Sequence, residues 1–213
     1  MGKPFAKELE KINDTLTWAL AQDTSEFRKQ LLQNKAKPLF VVGSGGSLSA
    51  CYYAAILYQQ YGMMAKAITP LELYYSQNTL RESNVLFITA SGKNTDILFG
   101  YKTAISFEPN KIFSLCMKSG SPLAGLAAET SLSEHFEFDN PAGKDGFLAT
   151  NSLVAFFAIL NTTLCTSPHS LQGQLEGDTK FLEDLEDFLS RITSDYTFNL
   201  LHAGYGQPVA IDL

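Results

Sequence analysis

The feature that most constrains this chain is an alternation of short apolar runs with helical stretches, beginning at residue 38. The runs at 38–43 (PLFVVG), 84–90 (NVLFITA) and 111–117 (KIFSLCM) are largely continuous in apolar character rather than alternating. A strand with a polar residue at every second position shows one face to water, whereas a continuous run is covered on both faces. Each run is followed by a helical stretch: 47–61, ended by Gly62; 95–107, stopped by Pro109; and a short one at 122–127. A run at 63–68 precedes a short helix at 70–77, residues 131–138 offer a fifth strand, and 146–164 reads as a long apolar helix. Repeated strand-then-helix units with right-handed crossovers make a parallel sheet with helices on both sides. The expected fold class is therefore α/β, a three-layer, doubly wound, mostly parallel five-stranded sheet. In such sheets ligands bind beyond the carboxyl ends of the strands.

Outside this unit the texture changes. Residues 4–34 read as two helices, with Phe5, Leu9, Ile12, Leu16, Ala19 and Leu20 at helical spacing and Trp18 expected against the main domain. Asp23 and Glu26 have the spacing of a capping pair for the second. After residue 166 comes a connector, then an acidic amphipathic stretch at 179–192 with Phe181, Leu182, Leu185, Phe188, Leu189 and Ile192 on one side. Its charges read as a solvated face. Residues 197–201 begin a new strand, followed by Ala203-Gly204-Tyr205-Gly206. The expected organisation is N-terminal helices over 1–34, a main domain over 35–166, and over 167–213 a linker, the amphipathic helix and the opening of a second similar unit.

Composition removes several function classes. The net charge is −6 and the pI about 5.1, with no Lys/Arg run, which argues against a general nucleic-acid binder. No apolar run reaches the ~18–20 residues of a membrane span, and the polar N-terminal stretch is not a secretory signal. Cys51, Cys116 and Cys165 lie far apart with no C-x-x-C pair, which suits buried thiols in a reducing compartment, and the expected location is the cytoplasm.

The chemistry concentrates in two loops, Val42-Gly43-Ser44-Gly45-Gly46-Ser47 and Thr89-Ala90-Ser91-Gly92-Lys93-Asn94-Thr95. Each follows an apolar run and opens a helix. A helix N-terminus leaves N–H groups unpaired and carries partial positive charge; glycine lets the backbone close on an anion, and hydroxyls add donors. A dinucleotide fingerprint fails, because its third glycine falls on Leu48 and Ile68-Thr69-Pro70 stands where a ribose-binding acid belongs, Glu72 being a poor substitute. There is no G-x-x-x-x-G-K-[ST], and neither Ser47 nor Ser91 sits in G-x-S-x-G. His135, His169 and His202 follow no triad order and no metal-ligand spacing; they read as surface or structural histidines, with His202 set apart beside a glycine-rich loop. Two readings of the loops stay open: a hydroxyl-lined phosphate site, or helix caps and tight turns alone.

These residues resemble the SIS family of sugar-isomerase domains, which bind phosphosugars. Gly43, Gly45, Gly46 and Ser47 match its strand-ending G-x-G-[TG]-S, and Thr89, Ser91, Gly92, Asp96 and Leu98 match S-x-S-G-E-T-x-D-T-L in register. Residues 142–152 (AGKDGFLATNS) look like A-G-P-E-x-x-V-A-S-T-K of the glucosamine-6-phosphate synthase isomerase domain. The chain departs from the pattern at Lys93 and Asn94, where the family has Glu and Thr, and at Asp145, where the synthase has Glu. The resemblance spans roughly residues 35–165. It implies a flavodoxin-like SIS fold and a phosphate held by Ser47, Ser91, Asn94 and either Thr89 or Thr95, with Ser44 and Gly46 in the first loop. Leu148 and Thr150 would approach the sugar.

The resemblance implies no cofactor and no metal. It implies a sugar-phosphate ligand and a homo-oligomer or pairing with another SIS domain, with neither nucleic acid nor membrane as partner. The stretch 201–212 looks like the start of a second SIS domain. The family's general base lies some seven residues beyond the acid matching Asp212, past Leu213, so these residues read as a binding half. Asp145 and His202 are the weak candidates for acid–base work. Two classes follow: the N-terminal half of a sugar-phosphate isomerase, amino-sugar synthase or deglycase, or a non-catalytic phosphosugar-sensing or subunit-pairing module.

Overall fold

The computed structural model describes residues 4–146 and 148–165. The strands are β1 (Leu39–Val42), β2 (Ala65–Ile68), β3 (Asn84–Thr89), β4 (Lys111–Cys116) and β5 (Ser133–Glu137). They form one sheet in the order β2-β1-β3-β4-β5, and every pairing is parallel. The strand order reverses between β1 and β3, so the crevice of this doubly wound sheet opens there.

The helices are α1 (Phe5–Leu9), α2 (Ile12–Leu20), α3 (Ser25–Gln33), α4 (Ser47–Gln59), α5 (Pro70–Tyr75), α6 (Gln77–Leu80), α7 (Thr95–Phe107), α8 (Pro122–Ala128) and α9 (Asn151–Leu164). They divide into two layers. Residues of α2, α3, α4 and α9 share a core with Val41, Leu86, Ile88, Phe113 and Leu115, while residues of α5–α8 share one with Val42, Val85, Phe87 and Ile112. Neighbouring strand residues point to opposite cores, which is why the runs are continuously apolar. All six residues of β3 are buried. A fully buried Phe87 or Phe113 stabilises the fold by about 1.5–3 kcal/mol.

The edge strand β5 is half-buried along its length and carries charge. Phe136 packs on Phe27 of α3 with ring centroids 4.6 Å apart, while on the other face His135 lies between Ser114 Oγ (2.5 Å from Nδ1) and Glu137 (3.0 Å from Nε2). Charged residues on an exposed edge discourage further strand pairing. The expected reading of His135 as a structural histidine fits these contacts.

The N-terminal region holds three helices rather than two. A break at Glu10–Lys11 takes Phe5 and Leu9 out of the shared face, leaving them 52% and 46% exposed, whereas Ala19 is buried and Leu16, Trp18 and Leu20 pack on the core. The Asp23–Glu26 pair does not close a capping box. Thr24 is the N-cap, Asp23 Oδ1 accepts from Ser25 N, and Glu26 turns to Lys29 and Gln30. Long side chains three and four residues on compete for Glu26. Helix α9 starts at Asn151, five residues later than its apolar pattern, for a reason that lies in the site. The connector, the 179–192 stretch, the 197–201 run, His169 and His202 lie outside the described residues.

Candidate functional site

Both hydroxyl-rich loops leave the carboxyl ends of adjacent strands. Val42 at the end of β1 is level with Phe87, and β3 runs two residues further to Thr89 before its loop begins. From the first loop the chain enters α4 on one face of the sheet; from the second it enters α7 on the other. The loops therefore flank the switch point.

In the first loop Gly45 takes φ +59°, a conformation that favours glycine, and Ser47 Oγ donates to Ser44 O at 3.1 Å. Gly46 has helical φ, and its need for glycine is steric: a Cβ there would lie 2.4 Å from Ala149 Cβ. This contact brings Leu148-Ala149-Thr150 to the first loop. No side chain caps α4, a helix of thirteen residues. By contrast Asn94 caps α7 and Ser121 caps α8.

In the second loop Thr89, 3% exposed, accepts from Gly92 N through Oγ1 at 3.3 Å, and Ser91 Oγ accepts from Lys93 N at 3.3 Å. Asn94 Oδ1 accepts from Asp96 N (2.9 Å) and Ile97 N (3.2 Å), which leaves its amide NH₂ as the donor side. Lys93, Asn94 and Thr95 are exposed. Gly92, at φ +62°, is pressed against Ser121, whose Oγ would lie 2.4 Å from an added Cβ, and Gly92 O accepts from Leu123 N at 3.2 Å. The loop after β4 thus backs the loop after β3. It is held in turn from β5 and the loop that follows it: Gly120 N donates to Glu137 (3.0 Å), and Ser119 N and Lys118 Nζ each donate to Asp139 (3.1 Å). Ser119, through its hydroxyl and then its N–H, together with Lys118, holds the Asp139 carboxyl down at about 2.

Asp145 has a local duty. Its oxygens accept from Thr150 N (3.1 Å), Asn151 N (3.0 Å) and Ser152 N (3.0 Å), and from Ser152 Oγ. The carboxylate folds back over the N-terminus of α9, which explains the late start of that helix. The candidate acid–base residue is thereby committed to capping. Residue 146 is tied down from the N-terminal helices: Gly146 N donates to the buried Glu8 carboxylate, and Asn151 donates to Glu8 O (3.0 Å) and accepts from Thr15 Oγ1 (2.8 Å).

The structure thus gathers Ser44, Gly46, Ser47, Leu148 and Thr150 around one contact and sets Thr89, Ser91, Asn94 and Thr95 on the neighbouring strand's loop. His202 lies outside the described residues. Sequence reasoning missed Ser121 and Glu8. Ser121 carried a signal, as a hydroxyl before Pro122 at a helix start; Glu8 carried none, being one acid among several on an exposed-looking helix.

Two thiols are buried. Burial pushes Cys51 well above its ordinary value, and burial also raises Cys116. Among the described residues no cluster of metal-ligating side chains occurs, and no helix is long and apolar enough to cross a membrane.

No family model matches the sequence, and no curated protein matches it significantly. Solved structures do match in fold. Tagatose-6-phosphate ketose/aldose isomerase from Escherichia coli superposes with a TM-score of 0.68 at 17% identity, covering 100% of this chain and 64% of that one. The Vibrio vulnificus NanR protein complexed with ManNAc-6P gives 0.59 at 15%, covering 89% and 69%. The C-terminal domain of glucosamine-fructose-6-phosphate aminotransferase from Francisella tularensis gives 0.56 at 19%, covering 87% and 52%. The chain has the SIS fold. Within the SIS fold the loops after β1 and β3 lie at the strand-order reversal, where doubly wound sheets take their ligands. This chain therefore sets its two hydroxyl-rich loops at the one place in the SIS fold where sheet geometry makes a crevice.

Proposed function

We propose that this chain is a phosphosugar-binding SIS domain, with the phosphate held between the loops after β1 and β3 and the sugar bordered by residues 148–150. The observation that carries this reading is the N-terminus of α4. It stands at the switch point without a side-chain cap, faced by a second loop of hydroxyl and amide donors. Ser44, Gly46, Ser47, Ser91 and Asn94 would supply neutral donors, and each hydrogen bond to a charged acceptor contributes about 1.5–3 kcal/mol. Of the two threonines, exposed Thr95 is the better ligand, since Thr89 is buried and engaged with Gly92. Lys93 adds a positive charge to the same loop. Three of the neighbours in fold carry sugar phosphates in their names, which supports the ligand class.

Two readings of activity follow. In the first the chain is the N-terminal half of a sugar-phosphate isomerase, amino-sugar synthase or deglycase, with the proton-transferring group supplied from outside the described residues. In the second it is a non-catalytic phosphosugar-sensing module. The commitment of Asp145 to α9 favours the second for residues 4–165, since an aldose–ketose isomerisation needs a free, positioned base. In either case we expect the domain to work as a homo-oligomer or paired with another SIS domain. The buried thiols Cys51 and Cys116, neither in a disulfide, fit the cytoplasm.

A thermal-shift series tests the shared premise. At a hundredfold excess over Kd a hexose 6-phosphate adds about 2.7 kcal/mol, which is a rise of roughly 5–11 °C in Tm for a chain of this size. The free hexose should give no shift, and Ser47→Ala/Ser91→Ala should abolish the response. A double variant that responds like the wild type, or silence with every phosphosugar, refutes the assignment.

A further inference from the structure

The layer formed by α5–α8 leaves one apolar stretch bare. Leu71, Tyr74 and Tyr75 on α5 and Phe99 on α7 are 65%, 41%, 79% and 54% exposed. They are contiguous: the Tyr74 ring centroid lies 5.8 Å from that of Phe99 and 5.4 Å from that of Tyr75, and Leu71 is one helical turn before both tyrosines. The platform beneath is firm. A Cβ on Gly100 would lie 3.3 Å from Pro70 Cβ, so the missing side chain lets α7 close on α5. Full burial of an aromatic side chain covers about 150–250 Å², so the exposed fractions of these four residues amount to on the order of 400–600 Å². That lies in the upper part of the ~300–600 Å² range of the largest apolar patch on a typical monomer, a patch that is often functional. It is also at least half of the ~800 Å² that each partner contributes to a standard interface.

The rim of the patch selects the occupant. On α7 the exposed residues Asp96 and Lys102 stand three positions before and three after Phe99. Residues three apart share a helix face. In an antiparallel crossing of two α7 helices centred on Phe99, Asp96 of one copy meets the partner subunit's Lys102, and by two-fold symmetry the reverse contact forms as well. A parallel crossing would set Asp96 on Asp96 and Lys102 on Lys102. The stripe is therefore complementary to itself in one arrangement only. We propose that the α5/α7 face is the interface of a homodimer, with the Phe99 side chains at the two-fold axis, Tyr74, Tyr75 and Leu71 around them, and Asp96–Lys102 pairs fixing the register. This deepens the self-association expected above by naming the face; it does not depend on the phosphosugar assignment.

Sedimentation of the full 213-residue chain over a concentration series is the test. The wild type should dimerise. Phe99→Asp should raise the dimer Kd about a hundredfold, because it removes two central anchors. Asp96→Lys and Lys102→Asp should each raise it about tenfold by opposing like charges, and the double variant Asp96→Lys/Lys102→Asp should return to within about threefold of wild type. Melting curves establish that each variant is folded, and the charge variants test the face even where Phe99→Asp does not fold. A monomer at every concentration overturns the proposal together with self-association, including the case where residues 179–192 of the same chain cover the patch. A dimer indifferent to all these variants overturns the face and leaves self-association standing. Weakening by the single charge variants without rescue in the double overturns the antiparallel register.

Discussion

The contact between Gly46 and Ala149 makes a sharp prediction, because helical φ at Gly46 leaves sterics as the only local objection to a side chain. Gly46→Ala would put two methyl carbons 2.4 Å apart, where ordinary contact needs well over 3 Å, so residues 148–150 or the start of α4 must shift by about an ångström. Overpacking of this kind costs about 1–3 kcal/mol, which lowers Tm by roughly 2–12 °C for a chain of this length. Ala149→Gly removes the opposing methyl and should restore most of the loss in the Gly46→Ala background. Gly45→Ala provides the contrast: its cost of about 1–2 kcal/mol comes from φ +59° with nothing within 4 Å, so Ala149→Gly should not rescue it. Chemical and thermal melts of the wild type, the three single variants and the two doubles with Ala149→Gly give the coupling energies directly. A Gly46→Ala protein that melts like wild type, or one that Ala149→Gly fails to rescue, refutes the placement of residues 148–150 against the first loop.

Asp145→Ala should lower stability by about 1–2 kcal/mol by uncapping α9, with Asp145→Asn losing less because one acceptor oxygen remains; circular-dichroism melts read both, and an unchanged Tm would count against the cap. Asp139, held near 2 against an ordinary 3.8, contributes its tie to Ser119 and Lys118 fully above about 3.8 and loses it as pH falls through about 2. Carboxyl NMR should therefore show a midpoint near 2 that rises in Ser119→Ala, and a wild-type midpoint at the ordinary value would contradict the loop geometry. In native protein an aromatic disulfide reagent should leave Cys51 and Cys116 unmodified until denaturant is added, since both are buried; rapid native labelling of either would refute the packing around α4 and β4.

The layers of the fold were legible because the pattern of residues 84–89 is itself a consequence of the architecture. Val85 and Phe87 serve one core, Leu86 and Ile88 the other, and only a sheet covered on both faces demands both sets. The strand order was not legible, since a run of apolar residues does not encode its neighbour; that β1 lies beside β3 rests on tertiary pairing alone. Helix starts failed where polar side chains act at a distance. Asp145 reaches forward over Thr150–Ser152, and the apolar pattern continuing back to residue 146 hid the five intervening loop residues. At the site the loop residues could be read, but not their supports. The contacts of Gly92 on Ser121 and of Gly46 on Ala149 join segments about thirty and a hundred residues apart, and spacing rules reach only a few residues along the chain.

The distribution of caps separates the two open readings of the loops. If the Ser, Thr and Gly residues served only to end strands and start helices, each helix N-terminus at the carboxyl edge of the sheet would be finished in the same way. Four are: Thr69 covers α5, Asn94 covers α7, Ser121 covers α8 and Asp145 covers α9, each through a side-chain oxygen that accepts from backbone N–H. The exception is α4, where Ser47 turns its hydroxyl back to Ser44 O and Gly46 has no side chain to offer. Replacing Gly46 by a capping residue would collide with Ala149, so the same contact that brings residues 148–150 to the loop also keeps the helix end uncapped. An uncapped end of a thirteen-residue helix leaves unpaired donors and a partial positive charge at the crevice. Caps and turns do not account for the first loop, whose open donors suit the phosphate that we propose it shares with Ser91 and Asn94 of the second.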